Sequence, residues 1–360
     1  MPTLKHFSFI ILVATVFSCG KGNGGGGGNQ PPVTPPVTPP VVVTTFTNPL
    51  LSSGPDPWVI KKDTFYYYTQ TLGNRIGLWR TKKMSELKNA QTFTAWLPPA
   101  TGSYSHDLWA PEIHYINNKW YIYFAADDGN NITHRMYVLE NASADPTTDT
   151  WVFKGKVADP NADKWAIDGS VFDYGGKLYF IWSGWQGDVD GRQDIFIAPM
   201  SDPITISGNR VLISSPTNSW EKFGGPTYVN EGPEAIKNPS GKLFITYSAS
   251  GCWTDNYSLG LLSLNAGGDP LNASDWTKTP TPVFTQNAAS MAYGPGHNSF
   301  FKSPDGTQDW ILYHANSSAG QGCGDVRNPR MQPFTWNSDG TPNFGSPVQI
   351  NTPIQKPSGE

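Results

Sequence analysis

The sequence predicts an all-β chain built as a five-bladed β-propeller, and three observations carry that prediction. Proline is frequent, 32 in 360 residues, and aromatics reach 13% with 14 Trp and 15 Tyr; such a composition disfavours long helices and suits many short strands joined by turns. Five segments repeat one pattern: a small or acidic residue, a short apolar strand, a tight turn, then an aromatic-rich strand. Their leading positions, 56, 110, 168, 231 and 297, lie 54, 58, 63 and 66 residues apart, enough for four short strands, which is one blade.

Ahead of the repeats stand an export signal and a tether. Lys5 and His6 precede an apolar run from Phe7 to Phe17, too short to span a bilayer and suited to a signal-peptide core. The run closes on Val16-Phe17-Ser18-Cys19, which resembles a bacterial lipobox with Cys19 as the lipidated residue. Gly24 to Gly28 is an unbroken glycine run and Pro31 to Pro40 carries a P-P-V-T repeat, a flexible reach followed by a semi-rigid spacer. The expected organisation is a signal at 1–18, a linker at 19–44 and a catalytic body at 45–360, exported and either anchored by lipid in the outer membrane or periplasm or secreted. With Cys19 acylated, Cys252 and Cys323 remain as an even pair in an oxidising compartment, and a disulfide between them is expected. Two sulfurs make a poor metal site.

The body reads repeat by repeat. Asp56 leads V-I-K-K-D-T and Phe65–Tyr68; Ala110 leads I-H-Y-I-N-N-K and Trp120–Tyr123; Asp168 leads S-V-F-D-Y-G-G-K and Leu178–Trp182. Glu231 leads E-A-I-K-N-P-S-G-K and Leu243–Tyr247, and His297 leads S-F-F-K-S-P-D-G and Trp310–Tyr313. Asn117-Asn118, Gly175-Gly176, Pro239-Ser240-Gly241 and Pro304-Asp305-Gly306 have the chemistry of tight hairpin turns.

Charge narrows the partners. Only 15% of residues are charged and the net charge is −4, so the chain has no cationic footprint for nucleic acid. In a propeller the innermost strands line a central axis, so the leading positions Asp56, Ala110, Asp168, Glu231 and His297 should converge. Three carboxylates in one pocket cost hydration without a structural return, and paired carboxylates are the equipment of glycoside hydrolysis. One must stay protonated near neutral pH and the other ionised, a difference that neighbouring charges can set. The aromatic surplus suits sugar rings, which stack their C–H faces on Trp and Tyr.

Asp56 in G-P-D-P-W-V, Asp168 in A-I-D-G-S-V-F and Glu231 in N-E-G-P-E resemble the three signature motifs of glycoside hydrolase family 43. Trp109-Ala110-Pro111-Glu112-Ile113 and Gly294-Pro295-Gly296-His297-Asn298-Ser299 are similar to that family's second and fifth blades. The resemblance implies an inverting hydrolase with Asp56 as general base, Asp168 as pKa modulator and Glu231 as general acid. Base and acid carboxyls of an inverting enzyme stand roughly 6.5–9.5 Å apart. It further implies that His297 helps hold a structural Ca2+, with no cofactor needed for the chemistry, and that Trp109 and Arg330 contact the sugar. Trp182-Ser183-Gly184-Trp185, the run from Ser248 to Asp255, and Arg330 to Gly345 resemble arabinofuranosidase members. The expected activity is removal of terminal α-L-arabinofuranosyl groups from plant arabinan or arabinoxylan. An endo-arabinanase, a β-xylosidase and a non-catalytic glycan-binding surface lipoprotein are the alternatives.

Competing acids are expected elsewhere. Glu234 lies three residues past Glu231, an odd separation that alternation assigns to the other strand face. Glu112 lies two past the repeated position, and Asp107, Asp127, Asp128, Asp188 and Asp190 sit in loop-like sequence.

Overall fold

The computed structural model describes residues 44–360 apart from 148, 149 and 190. The predicted signal, Cys19 and the linker up to residue 43 therefore lie outside the described residues, as does Asp190.

The described chain is all-β, with short 3₁₀ turns as its helical elements. The first, second and fifth repeats each form a separate four-stranded antiparallel meander, led by Trp58–Lys62, His106–Ile116 and Tyr293–Lys302. The third and fourth, led by Ala166–Tyr174 and Tyr228–Lys237, are joined in one nine-stranded sheet. Among the described residues two parallel pairs make that junction, Arg192 with Tyr228 and Gln193 with Val229. Asn117-Asn118 and Gly175-Gly176 each take positive φ at both residues, the backbone of a type I′ hairpin turn whose twist matches its strands.

The second strand of each repeat explains the aromatic runs. Tyr66 and Tyr68 face one apolar cluster and Tyr67 another; Trp120, Ile122 and Phe124 divide in the same way from Tyr121, Tyr123 and Ala125. Successive strand residues point to opposite faces, and both faces here are covered, so these strands read as continuous apolar stretches. Five clusters fill the spaces between sheets: first to second, second to third, third to fourth, fourth to fifth, and fifth back to first. The leading strands pack beside one another in chain order, and the fifth lies against the first.

Terminal segments stitch the ring shut. Thr45–Phe46 pairs with Ile354–Gln355, and Phe46 packs on Trp310. Asn48, fully buried, donates from Nδ2 to the Met331 carbonyl at 2.9 Å and accepts from the Met331 N–H at 3.0 Å. At the other end, the Glu360 carboxylate accepts from the Met84 N–H of the first repeat at 2.7 Å. Asn48→Ala leaves two buried backbone groups of the last meander unsatisfied, which costs roughly 2–4 kcal/mol of stability. Urea unfolding measures this, and a loss below about 0.5 kcal/mol, the scale of a neutral surface change, would show that the stitch is dispensable.

Candidate active site

Four leading strands carry a β-bulge near their start. Pairing gains one residue between Trp109 and Glu112, Ile167 and Ser170, Glu231 and Glu234, and Gly296 and Ser299. At each bulge one residue is left-handed: Ala110 (φ 42°), Asp168 (55°), Gly232 (54°) and His297 (45°). Asp56 (φ 55°) adopts the same conformation just ahead of the first leading strand. Bulges re-aim side chains, and strained non-glycine backbone gathers at functional sites. This equivalence corrects the register read from sequence: Gly232, not Glu231, matches Asp56, Asp168 and His297, and Glu231 stands one residue ahead. The Gly232 N–H donates to Asp168 Oδ2 at 3.0 Å, and a Cβ there would come 3.2 Å from the His297 ring.

The three carboxylates meet in different surroundings. Asp56 accepts from Arg327 Nη1 at 2.9 Å and lies 3.3 Å from His297 Nδ1. Its own N–H donates to His314 Nδ1 at 3.0 Å, which places the His314 proton on Nε2. Burial opposes the ionisation of Asp56, but Arg327, His297, His314 and the Thr71 hydroxyl together hold it well below the usual carboxylate range. Burial lowers both histidines, His314 strongly, so Arg327 is the permanent cation.

Glu231 is partly open to solvent and accepts from the Tyr257 hydroxyl at 2.8 Å. Burial and the Asp56 charge lift it to about 7 against the pull of Tyr257 and Arg327. Asp168 is buried and raised well above its ordinary value, by desolvation first and then by the charges of Glu231 and Asp56. Tyr257 needs a bare neighbour: a Cβ on Gly296 would sit 2.4 Å from its ring.

The other expected site residues divide. Trp109 is half-buried and stacks on His134 with ring centres 4.1 Å apart, and His134 in turn lies 3.2 Å from the buried Asp127. Asp127 is thus a buried support, not a solvated loop acid, whereas Asp107, Asp128 and Asp188 are exposed. Arg330 does not reach the carboxylates: it is fully buried and donates to Asn328 Oδ1, the Asn316 carbonyl and Ser317 Oγ. The arginine at the site is Arg327, three residues earlier. A disulfide joins Cys252 to Cys323.

No ready calcium cage stands around His297 among the described residues. Calcium takes about six to eight oxygen ligands, whereas the His297 Nδ1 faces Asp56 and no group of three or more His, Cys, Asp or Glu among the described residues converges as a metal site. No chemical step is drawn through a metal. Two hollows, of about 550 and 810 Å³, lie elsewhere, lined by residues such as Tyr104 and Trp185 or Phe172 and Met200, and neither includes Asp56, Asp168 or Glu231.

Arg327, His314 and Tyr257 were not singled out by the sequence motifs, and three acids, Asp127, Glu231 and Glu234, stand otherwise than loop-like sequence and strand alternation indicate. Glu231 and Glu234 pair with Ser248 and Thr246, which share a face, so the bulge cancels the odd separation and both glutamates point the same way. Glu234 is buried and hydrogen-bonded to Glu112 and Ser170, and Glu112 also contacts His114 Nε2 at 3.0 Å. Desolvation first, then the Glu112 charge, raises Glu234 well above its ordinary value. A carboxyl raised on folding binds its proton more tightly in the native state, so its contribution to stability falls as pH rises above its unfolded value of about 4.5. Glu234→Gln removes that titration. The variant should gain on the wild type by up to about 1.4 kcal/mol per pH unit above pH 5; parallel stability–pH curves in urea unfolding would contradict the buried protonated acid.

Comparison with known proteins bears on this geometry. The pattern of glycosyl hydrolases family 43 matches residues 46–342. An extracellular exo-α-(1→5)-L-arabinofuranosidase of Streptomyces avermitilis is 43% identical over 321 residues, 86% of this chain and 66% of that protein. The chain thus spans just under two thirds of that relative's length. A second enzyme of that name, from Streptomyces chartreusis, is 37% identical over 75% of this chain and 82% of its own. The crystal structure of an α-L-arabinofuranosidase from Lactobacillus brevis superposes with a TM-score of 0.79 at 38% identity, covering 85% of this chain and 98% of that one. On the match over residues 46–342 and the relatives' identity, the chain belongs to glycosyl hydrolases family 43.

Proposed function

We propose that this protein is an inverting α-L-arabinofuranosidase that removes terminal arabinofuranosyl groups from plant arabinan or arabinoxylan, on a five-bladed propeller. The blade count rests on the cyclic order of the five inter-sheet clusters, with the two-pair parallel junction read as a contact between neighbouring blades. The substrate rests on the named activities of the Streptomyces and Lactobacillus relatives.

One observation carries the reaction class: two carboxyls of one site stand in opposite surroundings, Asp56 against the Arg327 guanidinium and Glu231 against the Tyr257 hydroxyl, which favours ionised Asp56 and lifts Glu231 to about 7. Asp56 is the general base. It takes a proton from water as the water oxygen bonds to the anomeric carbon, while Glu231 gives its proton to the departing glycosidic oxygen. The new C–O bond forms on the face opposite the broken one, so the configuration inverts. Asp168, which accepts from the Gly232 N–H beside Glu231 and lies close enough to feel its charge, takes the role of tuning and orienting the acid. Trp109, held flat by His134, offers a face to the sugar. No nucleic acid and no cofactor enter this chemistry.

The same reading makes residues 1–18 a lipoprotein-type signal, Cys19 its acylation site and 19–44 a spacer; two relatives are named extracellular. Cys19→Ala should then abolish incorporation of labelled palmitate, and undiminished labelling would remove the anchor from the account.

Asp56→Ala and Glu231→Ala should each lower kcat for para-nitrophenyl α-L-arabinofuranoside by about 10²–10⁴. Because Glu231 must be protonated to act, activity should fall as pH rises through about 7. NMR of the first-formed arabinose should show the inverted anomer. A retained anomer, or a binder with no turnover on any pentoside, would overturn the reading.

A further inference from the structure

The disulfide lies between two loops of different repeats. Residues 250–257 connect Leu243–Ala249 to Ser258–Leu264, and residues 317–327 connect Asp309–Asn316 to Asn328–Trp336. The second loop ends in Arg327. It contains Gly320, Gly322 and Gly324, and none of residues 317–327 is buried in the core. No apolar anchor therefore fixes its path, and glycine leaves the backbone unusually free.

Polar contacts and the crosslink fix the path instead, among them bonds from the buried Arg330 and Asn328 to Ser317 Oγ at the start of the loop. Beside Cys323, the Gly322 carbonyl accepts from Asn316 Nδ2 and the Gly324 carbonyl accepts from both the N–H and Nε of Arg327. Across the gap, the Asp255 carboxylate accepts from the Gly320 N–H at 2.9 Å. At the far end the Arg327 carbonyl accepts from the Gly54 N–H at 2.8 Å, two residues from Asp56. Each such hydrogen bond contributes only modestly, whereas the covalent link removes the open states of the loop outright. Glu231 stands beside the first loop through Tyr257, so one bond ties the surroundings of both carboxyls together.

We infer that the Cys252–Cys323 crosslink is a positioning element of the active site, holding Arg327 against Asp56. The inference rests on Asp56 being the base. The groups facing Asp56 are Arg327, His297, His314, Thr71 and Tyr68, with Glu231, Asp168 and Tyr257 close enough to feel its charge. Without Arg327 this set has no permanent cation, and burial, the largest influence on Asp56, acts to protonate it. Opening the crosslink should thus raise the pH at which the base becomes active, an effect that mere loss of stability does not produce.

The test is the pH profile of kcat/KM on para-nitrophenyl α-L-arabinofuranoside for the full chain, C252A/C323A, R327M and the triple variant. The crosslink-free protein should show its acid limb at least about one pH unit higher and about tenfold less activity below that limb, recovering toward wild type above it. Adding R327M should cost less than about threefold more, because both changes remove one contact. A folded C252A/C323A protein with an unmoved limb, or effects of the two changes that multiply, would overturn the inference. If C252A/C323A does not fold, the wild type is reduced with TCEP, its native far-UV circular dichroism is verified, and the same limb decides. Wild type without turnover on any pentoside sinks the functional reading instead; an active wild type with an unmoved limb sinks only the role of the crosslink.

Discussion

Arg327 donates a hydrogen bond to Asp56, whereas Glu231 accepts from the neutral hydroxyl of Tyr257. Both carboxyls pay the same kind of desolvation penalty, and a carboxylate without a compensating cation answers by keeping its proton. A guanidinium is charged at every working pH and fits a carboxylate closely, so Arg327, first among the groups that hold Asp56 down, does most to separate two groups that start from similar chemistry. The proposed division of labour, water activation on one side and leaving-group protonation on the other, follows from that separation and not from the identity of Asp and Glu.

The contact exists because the chain returns on itself. Asp56 and Arg327 are 271 residues apart in sequence, and they meet because the last meander packs on the first and the terminal segments are sewn to opposite ends of the ring. The bulges supply the other half of the arrangement. Leading strands that ran without them would alternate their side chains evenly; the extra residue lets neighbouring positions turn toward the centre together, which is how Glu231 and Glu234 come to share a face. Beneath the three acids, the buried Glu112–Glu234 pair with Ser170 and His114 makes a polar floor. That floor adds negative charge near Asp168.

Much of this was legible in the residues. Aromatic runs such as Phe65–Tyr68 and Leu178–Trp182 mark strands covered on both faces, and the turn pairs Asn117-Asn118 and Gly175-Gly176 mark their hairpins. Asp56 and Asp168 share a left-handed backbone position near the start of their repeats, each followed at once by Pro or Gly. Glu231 was one residue out of register, and Glu234 was set on the wrong face, for a single reason: a bulge changes strand parity and leaves no mark in hydrophobic periodicity. Arg327 was invisible for another reason. Arg330 occupies a strand and so looks positioned, whereas Arg327 ends a glycine-rich loop whose path is set by partners in another repeat, among them Asp255 and Cys252. His314, at the end of the apolar run Trp310–Tyr313, was the remaining clue, a polar ring where the strand meets the centre.

Carboxyl titration by 13C NMR in the free, full-length protein, with assignments from Asp56→Asn and Glu231→Gln, reads the unequal ionisation directly. The account predicts that the Glu231 carbon titrates with a midpoint near 7 while Asp56 remains ionised throughout the acid range in which the fold survives. Coincident midpoints in the ordinary carboxylate range, or a protonated Asp56 beside an ionised Glu231, would contradict it.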